Sequence, residues 1–210
     1  PELVSNSYAV FESYLEHGFT PNGFFREFVN FEDNKPKGNT INHSIRRQSE
    51  GIYAMFHFLQ YEKENGRKHP EWERKMKTLL KQILLLQKED GSFPRKFNDD
   101  FTIADESGGS TPSVTLPLVM AYKYFNDKEY LSAAKKTGDY LEAEIISKAD
   151  YFSSTLDANC EDKEASLYAA TAMYYLALVS KGNEQQHYAD LCRQASYFAL
   201  SWYYMWDVPF

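Results

Sequence analysis

Two segments of the chain concentrate acids that have no obvious ion-pairing partner nearby. Residues 88–111, KEDGSFPRKFNDDFTIADESGGST, carry Asp99, Asp100, Asp105 and Glu106; residues 148–162, KADYFSSTLDANCED, carry Asp157, Glu161 and Asp162. Two carboxyl groups facing each other across a bond perform acid–base chemistry when one is protonated and the other ionised. Asp105 and Asp157 are selected for that role, with Glu106 and Glu161 as the nearest substitutes and as substrate contacts. Asp105 precedes a helix start, since Ser110 or Thr111 suits an N-cap and Pro112 the first helical turn. Gly108 and Gly109 add backbone that accepts positive φ or the close approach of a ligand. Glu161, Asp162 and Glu164 follow Asn159, so capping and the helix dipole account for them as readily as function does. Asp157 lies ahead of that cap.

Other side chains extend the set. The stretch SIRRQSEG, residues 44–51, places Arg46, Arg47 and Glu50 at a helix start, where cations oppose the dipole. Two guanidinium groups there would clamp an acidic ligand by bidentate hydrogen bonds, and salt bridges to neighbouring acids are the plainer alternative. Tyr203 and Trp206 offer rings for stacking on a ligand. The five histidines form no H-x-x-x-H or Cys/His cluster, so no metal site is expected, and nothing calls for a cofactor. DANCEDKEASLY resembles a calcium loop but puts Asp162 where glycine belongs and Tyr168 where glutamate belongs. Cys160 and Cys192 match no metal or redox spacing; free thiols are preferred to one disulfide.

The elements that must hold these residues are helical. Apolar positions recur at three and four residues over roughly 44–64, 69–88, 112–125, 128–147, 162–181 and 184–205. They predict six helices in three pairs, joined within each pair by the turn sequences ENGRKHP, FNDKE and SKGNEQ. An earlier helix ends at Gly18, and FFREFVNF is a short strand candidate. The domain plan is therefore a lead-in over 1–42 and three αα-hairpins over 43–210.

The hairpins repeat. Trp72, Tyr130 and Tyr188 open the second helices at intervals of 58 residues, and Met76, Ala134 and Cys192 follow one turn later. Leu79, Thr137 and Ala195, then Ile83, Leu141 and Ala199, keep the same face. First helices such as TLPLVMAYKYF and YAATAMYYLAL are apolar nearly all round, whereas second helices carry a charged stripe. An inner layer of first helices and an outer layer of second helices follows, giving an all-α fold expected to be an α/α toroid or an arc of one.

The alternation, LLLQKEDGSFP after an outer helix and DESGGSTPS before an inner one, resembles the six-hairpin toroid glycosidases and related polysaccharide-processing proteins. The resemblance covers about residues 43–210 and is one of architecture. It implies some twelve helices, so the six or seven here are read as part of a toroid, the remainder coming from sequence not supplied or from another chain. It also implies a cleft where outer helices hand over to inner ones, which is where the long acidic loops lie. The expected function is a carbohydrate-active enzyme, a glycoside hydrolase with paired carboxylates acting on an oligosaccharide or polysaccharide. The alternatives are a polysaccharide lyase, using a tyrosine or histidine base with Arg46 and Arg47 on a uronate, and a non-catalytic sugar-binding or assembly module.

Composition limits the partners. At 210 residues, 43% hydrophobic and with a formal charge of -7, the chain can bury a sizeable core and lacks the basic face that nucleic acid requires. Its densest basic stretch, RKHPEWERKMKTLLK, reads as a solvated outer face. No apolar run approaches the roughly 20 residues that span a bilayer. The start, PELVSNSYAVFESYL, reads as processed or trimmed, and the compartment is not legible.

Overall fold

The computed structural model describes residues 2–27, 42–152 and 160–203, together with the backbone of 29–32 and 35–38. It is predominantly helical. Helix α1 (Glu2–His17) precedes a two-stranded ribbon, β1 (Val29–Glu32) with β2 (Lys35–Gly38), so the strand candidate lies in part at β1. Three hairpins follow: α2 (Ile45–Glu64) with α3 (Pro70–Leu84), α4 (Thr111–Phe125) with α5 (Lys128–Tyr140), and α6 (Lys163–Val179) with α7 (Gly182–Leu200). Helix α5 runs on into a π-helical turn, Leu141–Ile146. No described helix is long and apolar enough to cross a membrane.

The repeat is structural. Trp72, Tyr130 and Tyr188 are 4%, 7% and 5% exposed, and the residues seven and eleven positions later are buried in all three second helices. Cys192 is half-buried where Met76 and Ala134 are fully buried, and Tyr188 sits in the second turn of α7 rather than the first. Helix α2 packs against α4, and α4 against α6, so the first helices are successive neighbours; α5 packs on α4 and α6, and α7 on α6. Helix α4 is enclosed as its composition implies. Helix α6 is not, because Leu167, Tyr174 and Leu178 leave an apolar stripe exposed along it.

The loop from α3 to α4 is built, not slack. Short strands β4 (Lys96–Phe97) and β5 (Ile103–Asp105) form an antiparallel sheet with β3 (His43–Ser44), in the order β3-β4-β5. Strands of two or three residues give no room for an alternating pattern, which is why the sequence does not announce them. Three acids in this loop close turns by accepting the backbone N–H two residues on: Asp90 from Ser92, Asp100 from Thr102 and Asp105 from Ser107. Gly91, at φ 88°, lies against the Lys136 carbonyl of α5, where a Cβ would collide. Gly108 does not take positive φ; it leaves room for the Tyr140 hydroxyl, so close packing against α5 explains it.

The lead-in is tied into the core. Phe24 and Phe25 are buried, and Gln48 of α2 bonds both the N–H and the carbonyl of Phe25. Helix α1 has no buried residue and docks through a few contacts, chiefly Phe11 on Phe58 at 4.1 Å between ring centres and Tyr8 on Glu62.

Candidate functional site

The starts of α2, α4 and α6 share one end of the array. Ile45 N–H donates to the Arg95 carbonyl, and Phe93 N–H donates to Thr111 Oγ1, so one segment ties down both α2 and α4. Arg46 of α2 reaches Glu164 of α6 at 2.7 Å, which adds the third helix.

The acids and basic residues singled out by sequence fall into distinct environments at that end. The Asp105 carboxylate accepts the Ser107 N–H and lies 3.5 Å from the buried guanidinium of Arg95. Glu106 is exposed, and its carbonyl accepts the Lys88 ammonium. Glu161 stands beside Asp150; burial, then that neighbouring charge, raises its pKa. Asp162, rather than Asn159, caps α6 and accepts the Glu164 N–H. Tyr203 packs against the Lys163 ammonium, 5.2 Å from the ring centre, at the start of α6. Asp157, Asn159 and Trp206 lie outside the described residues. Asp99 and Asp100 are not unpaired: Asp99 faces His43 Nε2 at 3.3 Å, and Asp100 binds Thr102. Both cysteines are free, with Cys160 exposed.

Arg46 and Arg47 do not act together. Neighbouring helical residues diverge by about 100°, and Arg47 turns to Glu27, whose carboxylate also accepts the Ser44 N–H at the start of α2. Arg46 turns the other way, between α2 and α6. Its Nε is 2.9 Å from Glu50, its Nη1 binds Glu164, and its guanidinium lies 5.5 Å from the Tyr168 ring centre. Tyr168 in turn donates its hydroxyl to Glu50. Partial burial opposes the charge on Arg46, but the hydrogen bond it donates to Glu50 and the electrostatic influence of Tyr168, Glu50 and Glu164 outweigh it and raise its pKa. Burial, then the bond to Glu50, pushes Tyr168 up to about 12.

This cluster heads a groove with α2 and α6 as walls and α4 as floor. Arg46, Glu50, Tyr53 and His57 follow one another at i, i+4, i+7 and i+11 along α2, and Glu164, Tyr168, Thr171 and Tyr175 repeat that spacing on α6. Tyr53 meets His57 edge-on at 4.4 Å, and the Tyr175 hydroxyl feels Tyr53. The wall spans about 16 Å, eleven residues at 1.5 Å each. At its far end His57, Gln60, Met120, Lys123, Tyr124 and Tyr175 line a pocket of about 410 Å³, within the range of roughly 300–1,000 Å³ typical of small-ligand sites. A larger pocket of about 680 Å³ lies between α1 and α2, but its polar members, Tyr8, Glu62 and Arg67, already bind one another. Among the described residues no group of three or more His, Cys, Asp or Glu is placed to hold a metal ion.

The signal for the groove was present in the sequence as two polar and aromatic stripes at helical spacing. It was hidden because Glu50 and Glu164 are more than a hundred positions apart. The chain matches no protein-family model and no curated protein in sequence.

Asp105→Asn is expected to lower stability by about 1.5 kcal/mol, since it removes the negative charge that faces the buried Arg95 guanidinium at 3.5 Å. Chemical denaturation measures this directly. Unchanged stability together with lost activity would instead return Asp105 to a chemical role.

Proposed function

We propose that the three hairpins form an arc of an α/α toroid whose concave face binds a carbohydrate chain and hydrolyses a glycosidic bond. The observation behind this reading is the composition of the groove. A face meant only for packing is apolar, whereas this one carries Arg46, Glu50, Tyr53, Glu164, Tyr168 and Tyr175. Tyrosine rings beside hydrogen-bonding groups suit a sugar, whose ring has apolar faces and polar edges. Further hairpins, from the same or another chain, would complete a ring.

Glycosidases place two carboxyl groups roughly 5–9.5 Å apart across the scissile bond. Glu50 and Glu164 come from opposite walls and are bridged by a single guanidinium. In this reading Arg46 gives way to the sugar. The protonated carboxyl delivers its proton to the glycosidic oxygen as the C–O bond breaks, and the ionised one attacks the anomeric carbon or activates the water that does so. Asp105 positions the rim through Arg95, and Asp157 remains a rim acid on sequence grounds alone.

A lyase is the second reading, favoured by the approach of Arg46 to Tyr168. A raised tyrosine pKa makes that hydroxyl a poor base at neutral pH, which places the lyase behind the hydrolase. Incubation with neutral and acidic oligosaccharides separates the classes: new reducing ends without unsaturated-uronate absorbance support the hydrolase, and that absorbance supports the lyase. Binding without either product leaves a sugar-binding module, and no binding overturns the carbohydrate reading.

A further inference from the structure

We infer that the pocket at the far end of the groove selects sugars bearing a carboxylate, so that the chain's carbohydrate ligand is an acidic, uronate-containing one; this rests on the groove being a carbohydrate site. The two ends of the groove differ in how their cations are used. At the head, Arg46 is held by Glu50 and Glu164. At the far end, among the described residues, no hydrogen bond or ion pair engages the Lys123 ammonium or the His57 imidazole, and both line the same pocket. The Lys63 ammonium lies 4.8 Å from the centre of the Tyr124 ring, which forms part of the same wall. The one carboxylate lining the pocket, Glu64, accepts from Gln60 at 2.7 Å.

Lys123 is therefore the cation that lines this pocket without a partner among the described residues; Lys63 sits over Tyr124, whose hydroxyl donates to Glu73, and the pocket's own carboxylate, Glu64, is turned to Gln60. The pocket's walls also suit a pyranose. Met120 and the Tyr175 ring present apolar surface to a ring face, and Gln60 and His57 present hydrogen-bonding groups to its edge. A carboxylate on that ring would meet Lys123, a compact donor that binds anions as a point charge. Helix-end lysines also favour the dipole of their own helix, so a stability effect of Lys123 alone would not establish the site; ligand discrimination does.

The test is a titration of the protein with an oligouronate and with the same oligosaccharide after carboxyl reduction, repeated with Lys123→Gln. The unmodified protein is expected to bind the oligouronate about fivefold more tightly, the order of one partly exposed ion pair. Lys123→Gln is expected to erase that preference while leaving affinity for the reduced sugar unchanged. Equal affinity of the unmodified protein for both ligands overturns the inference and leaves the carbohydrate reading intact. A preference that survives Lys123→Gln overturns the assignment to this pocket. Binding of neither ligand removes the carbohydrate reading and the inference together.

Discussion

Glu50→Gln and Glu164→Gln are each expected to lower kcat for the proposed glycoside hydrolysis about 100-fold or more, the usual size of acid–base assistance. Glutamine keeps the shape and one acceptor of each side chain but neither gives up nor takes a proton. Both carboxylates are nearly half-exposed, and partly exposed ion pairs contribute little to stability. The melting temperature should therefore stay almost unchanged. A rise in KM with kcat intact would assign the residue to binding. Full activity in both variants would exclude this pair from the chemistry.

The largest effect on stability is expected at Glu62. This carboxylate is 1% exposed. It accepts from Arg67 at 2.8 and 2.6 Å, stands 2.7 Å from His69 Nε2 and accepts the Tyr8 hydroxyl at 2.8 Å. The Arg67 bonds, then those of His69 and Tyr8, overcome the burial that opposes its charge and hold its pKa at about 2. A carboxylate whose folded pKa lies below its unfolded one stabilises the fold above the ordinary carboxylate range. That contribution is lost as pH falls from there towards about 2. Glu62→Ala removes the buried acceptor shared by the part-exposed Arg67, His69 and Tyr8 donors and is expected to cost about 2 kcal/mol at neutral pH, a drop in Tm of roughly 4–8 °C for a chain of this size. Helix α1, which buries no residue of its own, should lose amide-exchange protection first. The variant should also lose less further stability on acidification than the unmodified protein. Equal acid sensitivity of the two would contradict this account of Glu62.

The helices were legible because each keeps one apolar face: the positions four, seven and eleven residues after Trp72 and Tyr130 are all buried. Asp100 and Asp105 of the 88–111 loop were read as unpaired, yet each stands in a D-x-T or D-x-S step, DFT and DES, and closes a turn, as Asp90 does in DGS. That signal is local and was available. The groove was less accessible, because Arg46 meets Glu164 and Tyr168 only after two intervening hairpin crossings, and loop closure across such separations leaves no mark in the local pattern. The exposed stripe on α6 shows the limit of a composition argument, since Leu167, Tyr174 and Leu178 are apolar without being covered.

The central claim, that the concave face between α2 and α6 is the carbohydrate site, is tested most directly by calorimetric titration of an oligosaccharide into the unmodified protein, Tyr53→Ala and Tyr175→Ala. Each variant is expected to bind about tenfold more weakly, the order of one lost aromatic contact, while remaining folded. Undiminished affinity in both would place the sugar elsewhere and contradict the account.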